Sequence, residues 1–198
     1  MRSAASAVLG WRVGVRASSF PQLTFAESVA KADSLGVAFI EGSSDQKLSA
    51  GIPKKVDWRL APGEVNAIKD RLNAFNLRMP VYHVAAIDAN EKLFEFAKAI
   101  GVETIAADRT PEAWPAVDKL AEQYGVNVAI CAKNECTGRA GGRVMVLHLD
   151  AQSAARAGDL RLKADFKPTM IAVEPAGFDA FEKAIQPAMA ERVSQMSK

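Results

Sequence analysis

Cysteine, histidine and tyrosine are scarce in this chain, with two of each among 198 residues. Two cysteines, Cys131 and Cys136, cannot staple a chain of this length, which excludes a secreted disulfide scaffold. No run approaches the ~20 consecutive apolar residues of a membrane-spanning helix. Neither sign of charge dominates: 25 Lys+Arg face 23 Asp+Glu, a net charge of +2. A broad positive footprint for nucleic acid is therefore missing. No G-x-G-x-x-G follows a strand and no G-x-x-x-x-G-K-[ST] exists, so a nucleotide site at a Gly-rich turn has no support. What is present is apolar substance. Hydrophobic residues make up 49% and charged ones 24%, enough to bury a core and to exclude a disordered chain.

The length suits one domain, taken here as residues 10–198 behind a frayed N-terminal segment, 1–9. That segment has a basic residue followed by small and apolar ones, like the end of a signal peptide. Its apolar stretch is short, and Arg12 and Arg16 interrupt the residues after it. The compartment stays open: cytoplasmic, or periplasmic if the segment is a trimmed leader.

The informative pattern is a repeated module in which a helix ends at Gly or Asn and a short apolar strand comes next. Leu93, Phe96, Ala97 and Ile100 share one helix face, Gly101 supplies the cap, and residues 102–107 read as a strand. Val117, Leu120, Ala121 and Tyr124 repeat the stripe, Gly125 the cap, and 126–131 the strand. Thr110-Pro111 is expected to open that helix. Thr24 and Glu27 form a capping box for a helix ending at Gly36, with a strand after it at 37–41. Val65, Ile68, Leu72 and Phe75 make a stripe ending near Asn76, with a strand after it at 79–84. Residues 11–17 read as an opening strand.

Strands alternating with helices argue for a parallel sheet, because parallel neighbours need crossover connections. A barrel and an open doubly wound sheet both satisfy the pattern. After Cys131 the rhythm breaks. Residues 133–142 read as a polar, Gly-rich loop without a helix. A strand is expected at 144–149, a turn of helix at 151–158, a strand at 170–173 and a closing helix at 178–194 that Pro187 kinks or ends. Residues 160–167 are ambiguous.

Several stretches resemble the xylose-isomerase-like TIM barrels, and more narrowly the sugar phosphate isomerase/epimerase branch. They are Gly10-Trp11-Arg12-Val13-Gly14, Phe39-Ile40-Glu41-Gly42 with Gln46-Lys47-Leu48-Ser49, Phe94-Glu95-Phe96-Ala97-Lys98, and Tyr124-Gly125-Val126-Asn127-Val128-Ala129. Their order and spacing carry the resemblance, which is good over about residues 10–131. It implies an α/β, TIM-barrel-like fold, from which this chain departs as a shortened or incomplete member, with about seven parallel strands and the helix missing between strands five and six. It also implies a divalent metal at the C-terminal strand ends, polarising sugar oxygens during proton or hydride transfer.

The family's metal positions are altered here. Asp108 stands where the fourth strand usually ends in a metal-binding Glu. Cys131-Ala132-Lys133-Asn134 replaces the fifth strand's His-Asn-His-Pro. Leu149-Asp150-Ala151-Gln152-Ser153 keeps the Asp of Asp-Thr-Gly-His and replaces its His, while Arg156-Ala157-Gly158 echoes the family's Arg-Ser-Gly. The implied metal set is Asp108, Asp150 and Glu174, for Mn, Mg, Co or Zn, or for no ion at all. His148, Lys133 and His83 are the acid/base candidates, and Glu41, Trp58 and Arg109 the substrate-binding ones. Each has a plainer alternative: His83 as a satisfied structural imidazole, His148 and Asp150 as surface residues, Asp108 and Arg109 as an ion pair, Glu174 as a helix cap.

Two further features stay open. Cys131 and Cys136 read as chance thiols, or as a local disulfide in an oxidising compartment, and are a weak zinc signal. Lys133, Arg139 and Arg143, among Gly138, Gly141 and Gly142, read as a solvated loop or a phosphate-binding one. Lys54, Lys55 and Arg59 belong to a surface excursion with Trp58.

The implied function is a divergent sugar isomerase/epimerase acting on or binding a sugar or sugar derivative at the barrel's C-terminal face, with a degraded metal site. The alternative is a catalytically silent barrel that binds a sugar or serves as a partner subunit. A full TIM barrel runs to about 250 residues, so the shortfall is expected after Cys131, where an open barrel edge would need cover. The closing helix, the N-terminal segment or a second subunit, as a homo- or hetero-oligomer, would supply it.

Overall fold

The computed structural model of the protein describes residues 8–138, 144–157 and 168–196. Its elements are β1 (Val13–Arg16), α1 (Phe25–Ser34), β2 (Phe39–Ser43), α2 (Pro62–Ala74), β3 (Arg78–Val84), α3 (Glu91–Ala99) and β4 (Thr104–Ala107). After these come α4 (Trp114–Tyr124), β5 (Asn127–Ala132), β6 (Glu135–Gly138), β7 (Val144–Leu149), α5 (Ala151–Ala154), β8 (Met170–Val173) and α6 (Phe178–Met196).

Local chemistry sets the boundaries. Thr24 and Glu27 make the expected reciprocal cap on α1, closing two orphan donors. Gly125 caps α4 at φ 63°, and Asn76 after α2 takes φ 51°, the left-handed conformation that Gly and Asn adopt at least cost. The start of α4 differs from expectation. Were Pro111 the first helical residue, Pro115 would fall in the helix interior without an N–H for the ladder. The helix instead begins at Trp114, with Pro115 in its first turn, where that missing donor costs nothing. At the other end of the chain α6 runs through Pro187 to Met196. Phe178, Phe181 and Ile185 are buried, whereas Val193 beyond the proline is exposed.

The eight strands close into a barrel in sequence order. β1 to β5 pair in parallel, as do β7 with β8 and β8 with β1. β6 pairs antiparallel with both β5 and β7. Seven strands therefore share one direction and the eighth opposes them. The expectation of an open edge is thus corrected: no oligomer is needed to cover one. Between Ala132 and Val144 there is too little chain for a helical crossover, which takes a dozen or more residues. A two-residue turn at Lys133-Asn134, with Lys133 at φ 56°, reverses the chain, and β6 occupies the gap. Part of the expected loop is therefore a strand. Arg139, Gly141, Gly142, Arg143, Gly158 and residues 160–167 lie outside the described residues, as does most of the 1–9 segment.

Strand alternation splits the apolar residues into two layers. One set, including Val15, Ile40, Tyr82, Ile105, Leu147 and Val173, packs outward with the helices. The other fills the barrel interior: Val81, Ala106, Ala129, Cys136, Val146, Met170 and Ala172. At Gly14 there is no room for a side chain, since a Cβ would stand 2.6 Å from Met170 Cε and closer still to the Phe39 carbonyl oxygen. This interior plug is the floor on which the next layer of side chains rests.

The excursion after β2 is pinned over the helices. Gln46 Nε2 donates to the carbonyls of Ala17 and Leu23 and to Ser28 Oγ, and Tyr82 donates to the Val56 carbonyl. Three of its cations are paired: Lys54 with Glu64, Lys55 with Asp45, Arg59 with Asp57. Among the described residues no helix is long and apolar enough to cross a membrane.

Candidate functional site

One step up each strand from the apolar plug, the interior becomes polar. Arg16 follows Gly14, Glu41 follows Phe39, His83 follows Val81, Asp108 follows Ala106 and His148 follows Val146, each two residues on and so on the same face. All lie towards the C-terminal ends of strands that run in one direction, the end at which TIM barrels carry their sites.

Glu41 is the centre of this layer and is 1% exposed. Its Oε2 accepts from His148 Nε2 at 2.8 Å, and its Oε1 accepts from His83 Nδ1 at 3.1 Å. Arg16 Nε lies 3.5 Å from the same Oε1. The other nitrogen of His83, Nε2, is 2.9 Å from Asp108 Oδ1 at the rim. Carboxylates only accept hydrogen bonds, so donating to both at once requires the imidazolium form of His83.

The electrostatics agree with that picture. Burial alone would push the Glu41 carboxyl up, but hydrogen bonds from His148 and His83, aided by the Arg16 charge, outweigh it and hold it down to about 2. Burial alone would lower His83, yet its bonds to Glu41 and Asp108 prevail and raise it above the usual histidine value.

Glu41, His83 and His148 each bring one metal-ligating atom to within 4.8 Å of the others. One carboxylate and two imidazoles suit Zn, Fe, Co or Mn better than Mg, which prefers an all-oxygen shell. Asp108, on the far nitrogen of His83, stands where metal-binding imidazoles usually meet an outer carboxylate. The donor set therefore fits a divalent ion.

The residues singled out in the sequence separate into two groups. His83, His148, Glu41 and Asp108 come together. Asp150 does not join them: the strand ends at Leu149, and Asp150 turns to cap α5, accepting from Ser153 N at 2.7 Å and Ser153 Oγ at 2.6 Å. Those two bonds lower its pKa. Glu174 is exposed and precedes the short 3-10 turn Pro175–Gly177. Lys133 is exposed in the hairpin turn, Arg109 is exposed beside Asp108, and Trp58 packs against the outer core under the Arg59 guanidinium. Arg16 was not legible as a site residue; its only signal is a cation at the C-terminal end of the opening strand.

Cys131 and Cys136 are bonded to each other across the β5–β6 pair. Facing residues of an antiparallel pair lie close enough for this. The bridge sits in the barrel wall between Asp108 on the β4 side and His148 on β7.

No protein-family model matches the chain, and no curated protein matches it. Solved structures do share its fold. An uncharacterised protein of Parabacteroides distasonis superposes with a TM-score of 0.68 at 19% identity, covering 94% of this chain and 99% of the other. A sugar phosphate isomerase/epimerase from the same organism superposes at 0.53 with 9% identity, covering 91% and 96%. A xylose isomerase domain containing protein of Salmonella typhimurium superposes at 0.52 with 12% identity, covering 94% and 97%. The chain thus shares a TIM-barrel-like fold with these proteins.

Proposed function

We propose that the protein is a metal-dependent isomerase or epimerase of a sugar or sugar derivative, with its site at the C-terminal mouth of the barrel. The observation that carries this reading is the convergence of Glu41, His83 and His148, from β2, β3 and β7, on one point above the apolar plug. Fold kinship with proteins described as sugar isomerases and epimerases supports the substrate class by analogy.

Glu41, His83 and His148 would hold the ion, Zn, Co or Mn in preference to Mg. A divalent ion there supplies Lewis-acid polarisation of a carbonyl or hydroxyl oxygen. The protein supplies the rest. Asp108 fixes the orientation of the His83 ring through Nε2 and, being 61% exposed, is open to a substrate as a proton acceptor from a carbon next to a carbonyl. The apolar plug seals the floor of the site and keeps water from entering below. On this reading the metal site is relocated towards the early strands, with Asp150 and Glu174 outside it.

A second reading has its own support. Both oxygens of Glu41 and both nitrogens of His83 are already answered by side chains, so the network is stable as a structural core element of a silent barrel. Calorimetric titration of EDTA-stripped protein with Zn²⁺ and Mn²⁺ separates the two. The enzyme reading expects one ion per chain, lost in His148→Ala, and deuterium uptake from solvent into a ketose or aldose, monitored by NMR. Absence of ion binding in the wild type leaves the silent barrel.

A further inference from the structure

Among the described residues two buried side-chain atoms have no hydrogen-bond partner: Gln46 Oε1, under the β2 excursion, and Arg16 Nε, in the polar layer. The first belongs to a side chain whose amide already makes three bonds. The second is different. Arg16 faces Glu41 at 3.5 Å without a hydrogen bond, and the Glu41 oxygens are taken by the two histidines. A third of the Arg16 side chain reaches solvent. A buried donor left unanswered is costly and calls for an explanation.

The charges of the layer point the same way. Arg16 is a permanent cation, and the carboxylates present are Glu41 and Asp108. Once a divalent ion is held there, positive charge exceeds negative, and the ligand that completes the mouth is an anion. A guanidinium offers a planar fork of donors that matches the oxygens of a carboxylate or a phosphoryl group.

We infer that Arg16 is the oxyanion-binding arm of this site, and that the substrate carries a carboxylate or phosphoryl group beside the oxygens that reach the Glu41–His83–His148 cluster. The inference rests on the proposed function for the location of the site and for the ion that tips its charge; the unbonded Arg16 Nε and the exposed third of its side chain stand independently of it. Were Arg16 only a counter-ion to Glu41, its replacement would alter stability without altering which ligands bind.

The test uses the full chain, wild type and Arg16→Gln, with Arg16→Lys as a variant that keeps the charge but loses the fork. Glycolate, inorganic phosphate and neutral ethylene glycol are titrated calorimetrically, in EDTA and in Mn²⁺. The wild type is expected to bind glycolate or phosphate at least about tenfold more tightly than R16Q does, a difference of about 1.4 kcal/mol, with R16K weaker than wild type. Ethylene glycol should not distinguish the three proteins. Binding of glycolate alone identifies a carboxylate, and of phosphate alone a phosphoryl group. Anion binding by R16Q within twofold of wild type overturns the inference, as does a wild type that binds neither anion. Should R16Q fail to fold, R16K decides: equal anion binding by R16K and wild type rejects the fork. Titration with Mn²⁺ alone reports on the metal reading separately, and its failure leaves the EDTA arm to judge Arg16.

Discussion

Replacing Glu41 by Gln changes one charge in the middle of the polar layer and little else in shape. In the wild type the carboxylate is 1% exposed and accepts from His148 at 2.8 Å and His83 at 3.1 Å, with Arg16 at 3.5 Å. Removing one partner of a buried charge pair costs about 3–5 kcal/mol, because the opposite charges remain without an answer. Gln keeps one carbonyl acceptor, worth about 1 kcal/mol, but turns its NH₂ towards the second imidazole, donor against donor. The expected net loss is about 2–4 kcal/mol. In a domain of this size each kcal/mol moves Tm by about 2–4 °C, so E41Q should melt roughly 5–15 °C lower. Urea unfolding of EDTA-treated protein measures it directly: the midpoint should fall while the slope m stays constant. A loss under about 0.5 kcal/mol, or a gain, would show that Glu41 is not the charged hub of the layer.

Stability of the metal-free protein should also depend on pH through the same two groups. Glu41 is depressed, so its contribution is whole above the ordinary value of 4.5 and is lost as pH falls towards about 2. His83 is raised, so its contribution is whole below 6.5 and is lost as pH rises through its folded value above that. The urea midpoint should therefore be higher at pH 5.5 than at pH 8, and His83→Asn should flatten that limb; an unchanged midpoint across this range counts against the ion network. The Cys131–Cys136 bridge closes a loop with a sequence separation of only 5, so chain entropy assigns it about 2 kcal/mol. Reduction, or the Cys131→Ser/Cys136→Ser double variant, should lower Tm by several degrees, and unchanged melting on reduction would show that the bridge adds nothing to the fold.

The helix-then-strand modules from β1 to β5 were legible because each is governed by neighbours in the chain. The Thr24–Glu27 box, the turn at Asn76 and the Gly125 cap stop and start elements through contacts within a few residues, and apolar periodicity marks the buried face. β6 was not legible. Its four residues alternate too briefly to register, and they form a strand only because β5 and β7 stand on either side with unpaired edges. The Cys131–Cys136 pairing comes from that register and could only be left open beforehand.

Sequence alone determined that this chain alternates strands with helices and that His83, Glu41 and Asp108 fall at strand ends; the pattern allowed a barrel and an open sheet alike, and the resemblance implied the barrel. Local hydrogen bonding and periodicity suffice for that alternation. Tertiary structure decided which of those side chains meet. Glu41 and His148 are 107 residues apart in sequence yet 2.8 Å apart in space, while Asp150, two residues beyond His148, turns away to cap a helix. Barrel closure, through a strand with little propensity of its own, brings β7 round to β2 and β3; no pairwise rule of sequence spacing contains that distance.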